Sequence, residues 1–331
     1  MKPSLAAALA VLLPFAQPVA AEPIIFYDSG IKLDGSFNES GFNGAELFRE
    51  TTGKGYAEQM LGAGQDRVEL LRQAARNGNE PIVALGFTYA SAVETVAKEF
   101  PETEFAIVDM VVPLPNVRSI VFREHEGSYL MGQLAAMRSK TGTIGFVGGM
   151  DIPVIRKFAC GYVGGAKAFN PEIEIKVEMA GTTPKAFNDP ARGAEITKSQ
   201  IADGADVIFH ASGGTGIGVL NAAADAGVLG IGVDMNQNGV APGSVLTSML
   251  KRVDYAVFFA FKDAEDGAFS TGVQSLGLED LSVGYAVDEH NQSLLPGYLA
   301  AQVEEVSYEI ISGTREVHDY MADNACPYGG V

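Results

Sequence analysis

Across residues 24–286, short runs of β-branched and aromatic residues alternate with longer stretches whose apolar positions recur every three or four residues. The short runs predict strands at 24–27, 82–85, 105–108, 119–122, 143–147, 172–177, 207–210, 230–233, 245–248 and 282–286. The helix-period stretches predict helices at 41–50, 65–75, 89–99, 127–137, 154–168, 190–202, 216–226, 253–266 and 297–311. Asp189-Pro190 is a clean start signal, an N-cap acid followed by proline at the first helical position. Strands that alternate with helices in this way are the mark of an α/β protein.

The strand–helix rhythm runs once as far as Phe122 and begins again at Thr143, which predicts two similar α/β lobes rather than one large sheet. No low-complexity linker separates them, so several short crossings are expected, with the segment after Lys251 returning to the first lobe. The expected division is a first lobe of 22–124 plus about 252–286 and a second of 125–251 plus about 287–331. A body of this kind takes its ligand between the lobes, at the carboxyl ends of the parallel strands.

The start of the chain reads differently. Lys2 precedes an apolar run from Leu5 to Phe15, then Pro14 and Pro18 and the small residues Val19, Ala20 and Ala21. The run is too short to span a bilayer and matches a signal peptide cleaved before Glu22, which predicts export to an oxidising compartment, a periplasm. No Cys lies at the cleavage point, so the expected product carries no lipid anchor. With 41 acidic against 23 basic residues, the net charge of −18 opposes any wrapping of nucleic acid through its phosphates. Cys160 and Cys326 have no metal-ligand spacing around them. In an oxidising compartment they either pair and pin the tail to the body, or one is a buried thiol and the other is loose; sequence leaves both open.

An enzyme reading finds little support. Ser212-Gly213-Gly214-Thr215-Gly216-Ile217-Gly218 follows a strand and opens a helix, but its glycine spacing is wrong for a dinucleotide site and it holds no Walker lysine. None of the 11 tyrosines is followed by lysine four residues later. A tight strand-to-helix turn that offers backbone N–H groups to a neutral ligand is the simpler reading. His125, His210, His290 and His318 stand apart from any catalytic constellation, and no cofactor or metal is expected. Glu124 and Glu126, on either side of His125, read as caps for the helix that follows.

Strand ends carry another combination. Asp28, Asp109 and Asp234 each follow a predicted strand and would converge on the cleft, where a carboxylate can accept from N–H groups or hold both hydroxyls of a ribose. Taken singly, each is equally a turn or N-cap acid. Lys251 is a natural cationic partner for one of them, or a solvated lysine. Phe37, in the turn Asp34-Gly35-Ser36-Phe37-Asn38, and Phe187, in the turn Lys185-Ala186-Phe187-Asn188, could sandwich a flat heteroaromatic ring or fold back onto the core.

The stretch Asp34-Gly35-Ser36-Phe37-Asn38-Glu39-Ser40-Gly41-Phe42-Asn43-Gly44 resembles the Asp-x-Ser-Phe-Asn signature of the basic membrane protein family, substrate-binding proteins similar to the spirochaete purine nucleoside receptor. Further matches lie at Gly86-Phe87, Phe105 to Asp109, Glu126 to Gly132, Gly213 to Gly216, Gly232 to Gln237 and Thr247 to Val253, in the family's order. The resemblance implies a type I periplasmic-binding-protein fold that captures a nucleoside, a purine nucleoside above all, and delivers it to an ABC permease without reaction. It implies that Phe37 and Phe187 stack on the base, that Asp28 and Asp109 bond its polar edge, and that Gly213, Asp234 and Lys251 hold the ribose, with Asn38 a neighbour. A monomer is expected. The alternatives are a receptor of the same fold for another solute, a nucleoside-processing enzyme, or a sensory role.

Overall fold

The computed structural model describes residues 22–28, 31–62 and 64–331. The expected signal peptide at 1–21 lies outside the described residues. The chain forms, in order, β1 (Ile24–Tyr27), α1 (Phe37–Thr52), β2 (Ala57–Met60), α2 (Arg67–Arg76), β3 (Ile82–Leu85), α3 (Ala90–Glu99), β4 (Phe105–Val108), β5 (Val117–Phe122) and α4 (Glu124–Arg138). There follow β6 (Thr143–Met150), α5 (Pro153–Phe169), β7 (Glu174–Gly181), α6 (Pro190–Ala202), β8 (Val207–Ala211), α7 (Thr215–Asp225), β9 (Leu229–Asp234) and β10 (Val245–Lys251). The chain closes with α8 (Val253–Glu265), β11 (Gly272–Leu276), β12 (Val283–Tyr285) and α9 (Gly297–Ile311).

Two six-stranded sheets result, ordered β11-β5-β4-β3-β1-β2 and β12-β10-β9-β8-β6-β7. All pairs are parallel except β10 with β12. β1, β3 and β4 are buried along their whole length, as strands with helices on both faces must be, and so they read as unbroken apolar runs. β2 and β11 lie on the two edges of the first sheet, half solvated, with sequences AEQM and GVQSL. Neither was expected, because an edge strand supplies backbone pairing without an apolar signature.

The returning segment also differs from expectation. α8 packs on α1 and β11 pairs with β5, both in the first lobe. β12, expected in the same return, pairs instead with β10. The chain has therefore crossed back between Leu276 and Val283, ahead of the expected crossing at about 286. Crossings between sheets fall at β5–α4, β10–α8 and β11–β12.

α4 and α5 pack backbone against backbone. A Cβ on Gly132 would stand 2.0 Å from the Tyr162 carbonyl oxygen, and one on Gly165 would stand 1.9 Å from that of Tyr129. Glycine lets the two backbones touch, which explains why α4 is buried around most of its circumference. Cys160 on α5 forms a disulfide with Cys326, Cα to Cα 5.6 Å, and the C-terminal tail lies against that helix. Tyr328 occupies the space where a side chain on Gly164 would go.

Candidate ligand-binding cleft

The carboxyl ends of β1, β4, β8, β9 and β10 face one cleft of about 610 Å³, its open mouth included. Asp28, Phe37, Asn38, Asp109, Phe187, Gly213, Asp234 and Lys251 all line it. Asp34, Phe87, Ile152, Ile155, Phe158 and Ser212 complete much of the wall.

The acids arrive there by a shared device. Asp109 follows β4 directly and Asp234 is the last residue of β9, with φ of 70° and 66°. That left-handed conformation is open to Asp and Asn but costly for most other side chains, and it turns the carboxylate off the strand into the cleft. Asp28 accepts from the Thr88 hydroxyl at 2.7 Å, with the Arg67 guanidinium 3.9 Å away.

Lys251 anchors the electrostatics. Its ammonium is 2.7 Å from Asp109 Oδ2 and 3.0 Å from Glu124 Oε1. The rings of Phe37, Phe122 and Phe158 stand around it, centroids 5.2, 5.2 and 5.6 Å away. Glu124 in turn pairs with Lys157 at 3.0 Å, and Lys157 donates to the Phe122 carbonyl at 3.0 Å. Two cations and two anions thus alternate through largely buried side chains. Burial works against the Glu124 carboxylate, but the two ammoniums prevail and hold it down at about 2. Burial also works against the Lys251 ammonium, and Asp109, Glu124 and Asp234 together keep it firmly protonated.

Asp109 and Asp234 go the other way. Burial lifts each carboxyl to about 6, against the pull of Lys251 in both cases and of the Ser36 hydroxyl in the second. Asp109 Oδ1 has no hydrogen-bond partner within the protein. An unmatched, buried acceptor on a cleft wall is the kind of group a ligand donor satisfies.

Several residues differ from their expected settings. Phe37 and Asn38 open α1 rather than lying in a free turn; Asp34 accepts the N–H groups of Ser36, Asn38 and Glu39 and so starts the helix itself. Asn38 lines the cleft, yet its amide is committed to the backbone: Nδ2 donates to the carbonyls of Asp28 and Ile31 at 2.7 and 2.9 Å, and Oδ1 accepts from Asp28 N at 3.0 Å. Its work is to shape the segment after β1. Glu124, expected as a helix cap, is 1 % exposed and sits at the centre of the ion network. Glu126 is the one that stays near the surface, paired with Arg123 at 2.7 Å.

Phe187 ends a short 3₁₀ turn, Pro184–Phe187, and leans on Phe87 with ring centroids 6.4 Å apart. A Cβ on Gly149 would stand 2.2 Å from the Phe187 ring, so the glycine makes room for it. Gly213 is left-handed at φ 56° and carries the backbone past Phe187. The later glycines of that turn serve packing: Gly216 clears the His210 ring and Gly218 lets α7 meet the Pro190 carbonyl. Among the described residues no group of His, Cys, Asp and Glu is arranged to hold a metal ion. Lys157 and Phe158 carry no sequence signal that sets them apart from core residues, Glu124 stood out only through the Phe122 to Gly127 charge cluster, and Phe87 only through the Gly86-Phe87 match.

Among proteins of known sequence, the chain is 36% identical to a CD4+ T-cell-stimulating antigen of Listeria monocytogenes, covering 88% of this chain and 86% of that one. It is 34% identical to an uncharacterized lipoprotein of Pyrococcus horikoshii, over 79% of this chain and 67% of the other. It is 30% identical to the ABC transporter nucleoside-binding protein BmpA of Lactococcus lactis, over 84% of each. Among solved structures, an ABC transporter solute-binding protein from Aeropyrum pernix superposes with a TM-score of 0.81 at 28% identity, over 90% of this chain and 93% of that one. That likeness and the two parallel sheets give the periplasmic-binding-protein fold. Substrate-binding proteins of this kind work outside the cytoplasm. The model of the Bmp family, described as ABC transporter substrate-binding protein PnrA-like, matches residues 21–319, and the chain belongs to that family.

Proposed function

We propose that this substrate-binding protein captures a nucleoside, a purine nucleoside first of all, in the cleft between its lobes and passes it to the permease of an ABC transporter. The carrying observation is the pairing of aromatic and acidic groups in one cleft: Phe37 and Phe187 on the wall, with Asp28, Asp109 and Asp234 at strand ends. A nucleobase needs faces to stack on, at about 1–3 kcal/mol per base, and an acceptor for its polar edge. A ribose needs a carboxylate for its diol, which is the place of Asp234, with the Lys251 ammonium and the Gly213 backbone beside it.

Charge narrows the choice further. Four aspartates, Asp28, Asp34, Asp109 and Asp234, line the cleft against the single ammonium of Lys251, which Asp109 and Glu124 already neutralise. A phosphorylated ligand would meet a wall richer in carboxylates than in cations, so the neutral nucleoside is favoured over the nucleotide. The protein acts as a receptor, with no chemical step. The name of the Lactococcus relative agrees with this reading.

The test is calorimetric titration with inosine, guanosine and adenosine, beside ribose, the free bases and the monophosphates. Tight binding of one or more nucleosides, with the monophosphates at least about a hundredfold weaker, is expected. Absence of heat with every nucleoside would remove the proposal.

A further inference from the structure

Polar bridges cross the cleft at Ser36 to Asp234, Gln237 to Gly35 and Lys251 to Asp109. Asp234, Lys251 and Asp109 line the cleft, so a ligand competes for the first and third bridges. Gln237 and Gly35 lie outside that lining, so a ligand does not compete for their bridge.

The Gln237 bridge is built rather than incidental. The side chain is 3% exposed, and its Oε1 accepts from Val233 N–H at 2.8 Å and bonds His210 Nε2 at 2.9 Å. A backbone N–H can only donate, so the atom facing Val233 is the amide oxygen. The amide nitrogen therefore points to the Gly35 carbonyl, which can only accept, at 2.7 Å. His210 then donates from Nε2, which leaves Nδ1 as acceptor for the Ser212 hydroxyl at 3.3 Å. Burial holds the His210 ring neutral, down at about 4, as this tautomer requires. Two glycines clear the space: a Cβ on Gly232 would lie 2.6 Å from Gln237 Oε1, and one on Gly216 would lie 1.8 Å from the His210 ring.

On the far side, Gly35 belongs to the rigid turn that opens α1. Its own N–H donates to Glu39 Oε2 at 2.9 Å, and Phe37 follows two residues later. Whatever holds Gly35 to the second lobe also holds the Phe37 ring over the cleft.

We propose that Gln237 is the latch that keeps the two lobes closed, and that His210 is the positioning residue that fixes the latch's amide with its donor toward the opposite lobe. The latch rests on the receptor reading only for its ligand readout; its effect on lobe separation does not depend on which solute binds.

The decisive variant is Gln237→Glu. It keeps an oxygen for Val233 N–H and His210 Nε2–H and replaces the donor aimed at Gly35 by a second acceptor, oxygen against oxygen. Gln237→Asn keeps the amide but falls one methylene short of reaching both Val233 and Gly35. Spin labels at Glu69→Cys and Lys185→Cys, exposed positions on opposite lobes, report the distance between them by pulsed electron resonance. The disulfide leaves Cys160 and Cys326 unlabelled. In both Gln237 variants the distance distribution of the free protein is expected to shift toward longer values at about pH 8. Inosine is expected to dissociate about tenfold faster, with association changed less than about twofold. Each variant is compared at equal helix content by circular dichroism, and Gln237→Asn decides alone should Gln237→Glu not fold. Distance distributions identical to the parent's would overturn the latch. Lack of inosine binding by the parent would remove the nucleoside reading and leave the distance result to stand by itself.

Discussion

Replacing Lys251 by methionine keeps the shape of a side chain that is 2% exposed and removes its charge. Two carboxylates lose a direct partner, and Asp234 loses the pull of the ammonium. Glu124 retains Lys157 at 3.0 Å, so its charge stays matched. Asp109 retains nothing, because its second oxygen is already without a bond inside the protein. Breaking a buried pair in this way costs about 3–5 kcal/mol near pH 8.

The pH dependence separates this account from lost packing. Burial already lifts the Asp109 carboxyl to about 6 with the ammonium beside it; without that ammonium it rises further. The unfolded carboxyl titrates at about 3.9. A group whose folded value lies above its unfolded one destabilises the fold as pH climbs from the unfolded value to the folded one, and contributes no further change beyond it. In the parent that loss stops near pH 6. In Lys251→Met it continues upward, at about 1.4 kcal/mol per pH unit, until the new folded value is passed. The Asp109 share of the penalty is therefore nearly absent at pH 5 and grows from about pH 6 toward pH 8. Urea unfolding at pH 5, 6, 7 and 8 measures it. A penalty constant across that series would refute the reasoning, as would failure of Asp109→Asn, added to Lys251→Met, to reduce the slope, the remainder being the share of Asp234.

Phe187→Ala should weaken nucleoside binding about tenfold or more in calorimetry, and Gly149→Ala, which drives a methyl into the Phe187 ring, should weaken it in the same direction; unchanged affinity in the first removes Phe187 from the site. Asp234→Ala should weaken a riboside much more than its free base, and equal losses would show the ribose assignment to be wrong. Because burial lifts the Asp234 carboxyl to about 6, riboside affinity should fall as pH drops below that value and the acceptor gains a proton; a flat profile between pH 5 and 8 contradicts its role. Cys160→Ser with Cys326→Ser should lower stability by about 2–5 kcal/mol in urea, with no further loss on adding reductant, and equal stability of parent and variant would leave the tail without a structural part.

The central strands and all the helices could be read from the chain because their physics is local: β1, β3 and β4 are unbroken apolar runs, and Asp189-Pro190 marks the start of α6 on its own. β2 and β11 could not, since each is held by one neighbour and faces solvent on its other side. The cleft was legible to the extent that strand-end acids and loop aromatics stand out in sequence, and the eight expected residues line one cleft. Glu124 was not, because its meaning depends on Lys157 and Lys251, 33 residues and more away along the chain. Asn38, which the resemblance places beside the ligand, lines the cleft, and the three backbone bonds that engage its amide have no mark in the sequence.

The left-handed backbone at Asp109 and Asp234 limits what evolution can write at those two positions. A β-branched or bulky residue would strain the strand end itself, so Asp, Asn and Gly form the practical alphabet there. Exchange of Asp for Asn swaps one oxygen for one nitrogen with the main chain undisturbed, and turns a pure acceptor into a group that also donates. Ligand preference could thus diverge among descendants of this scaffold by a single nucleotide change, while the fold that presents the site stays as it is.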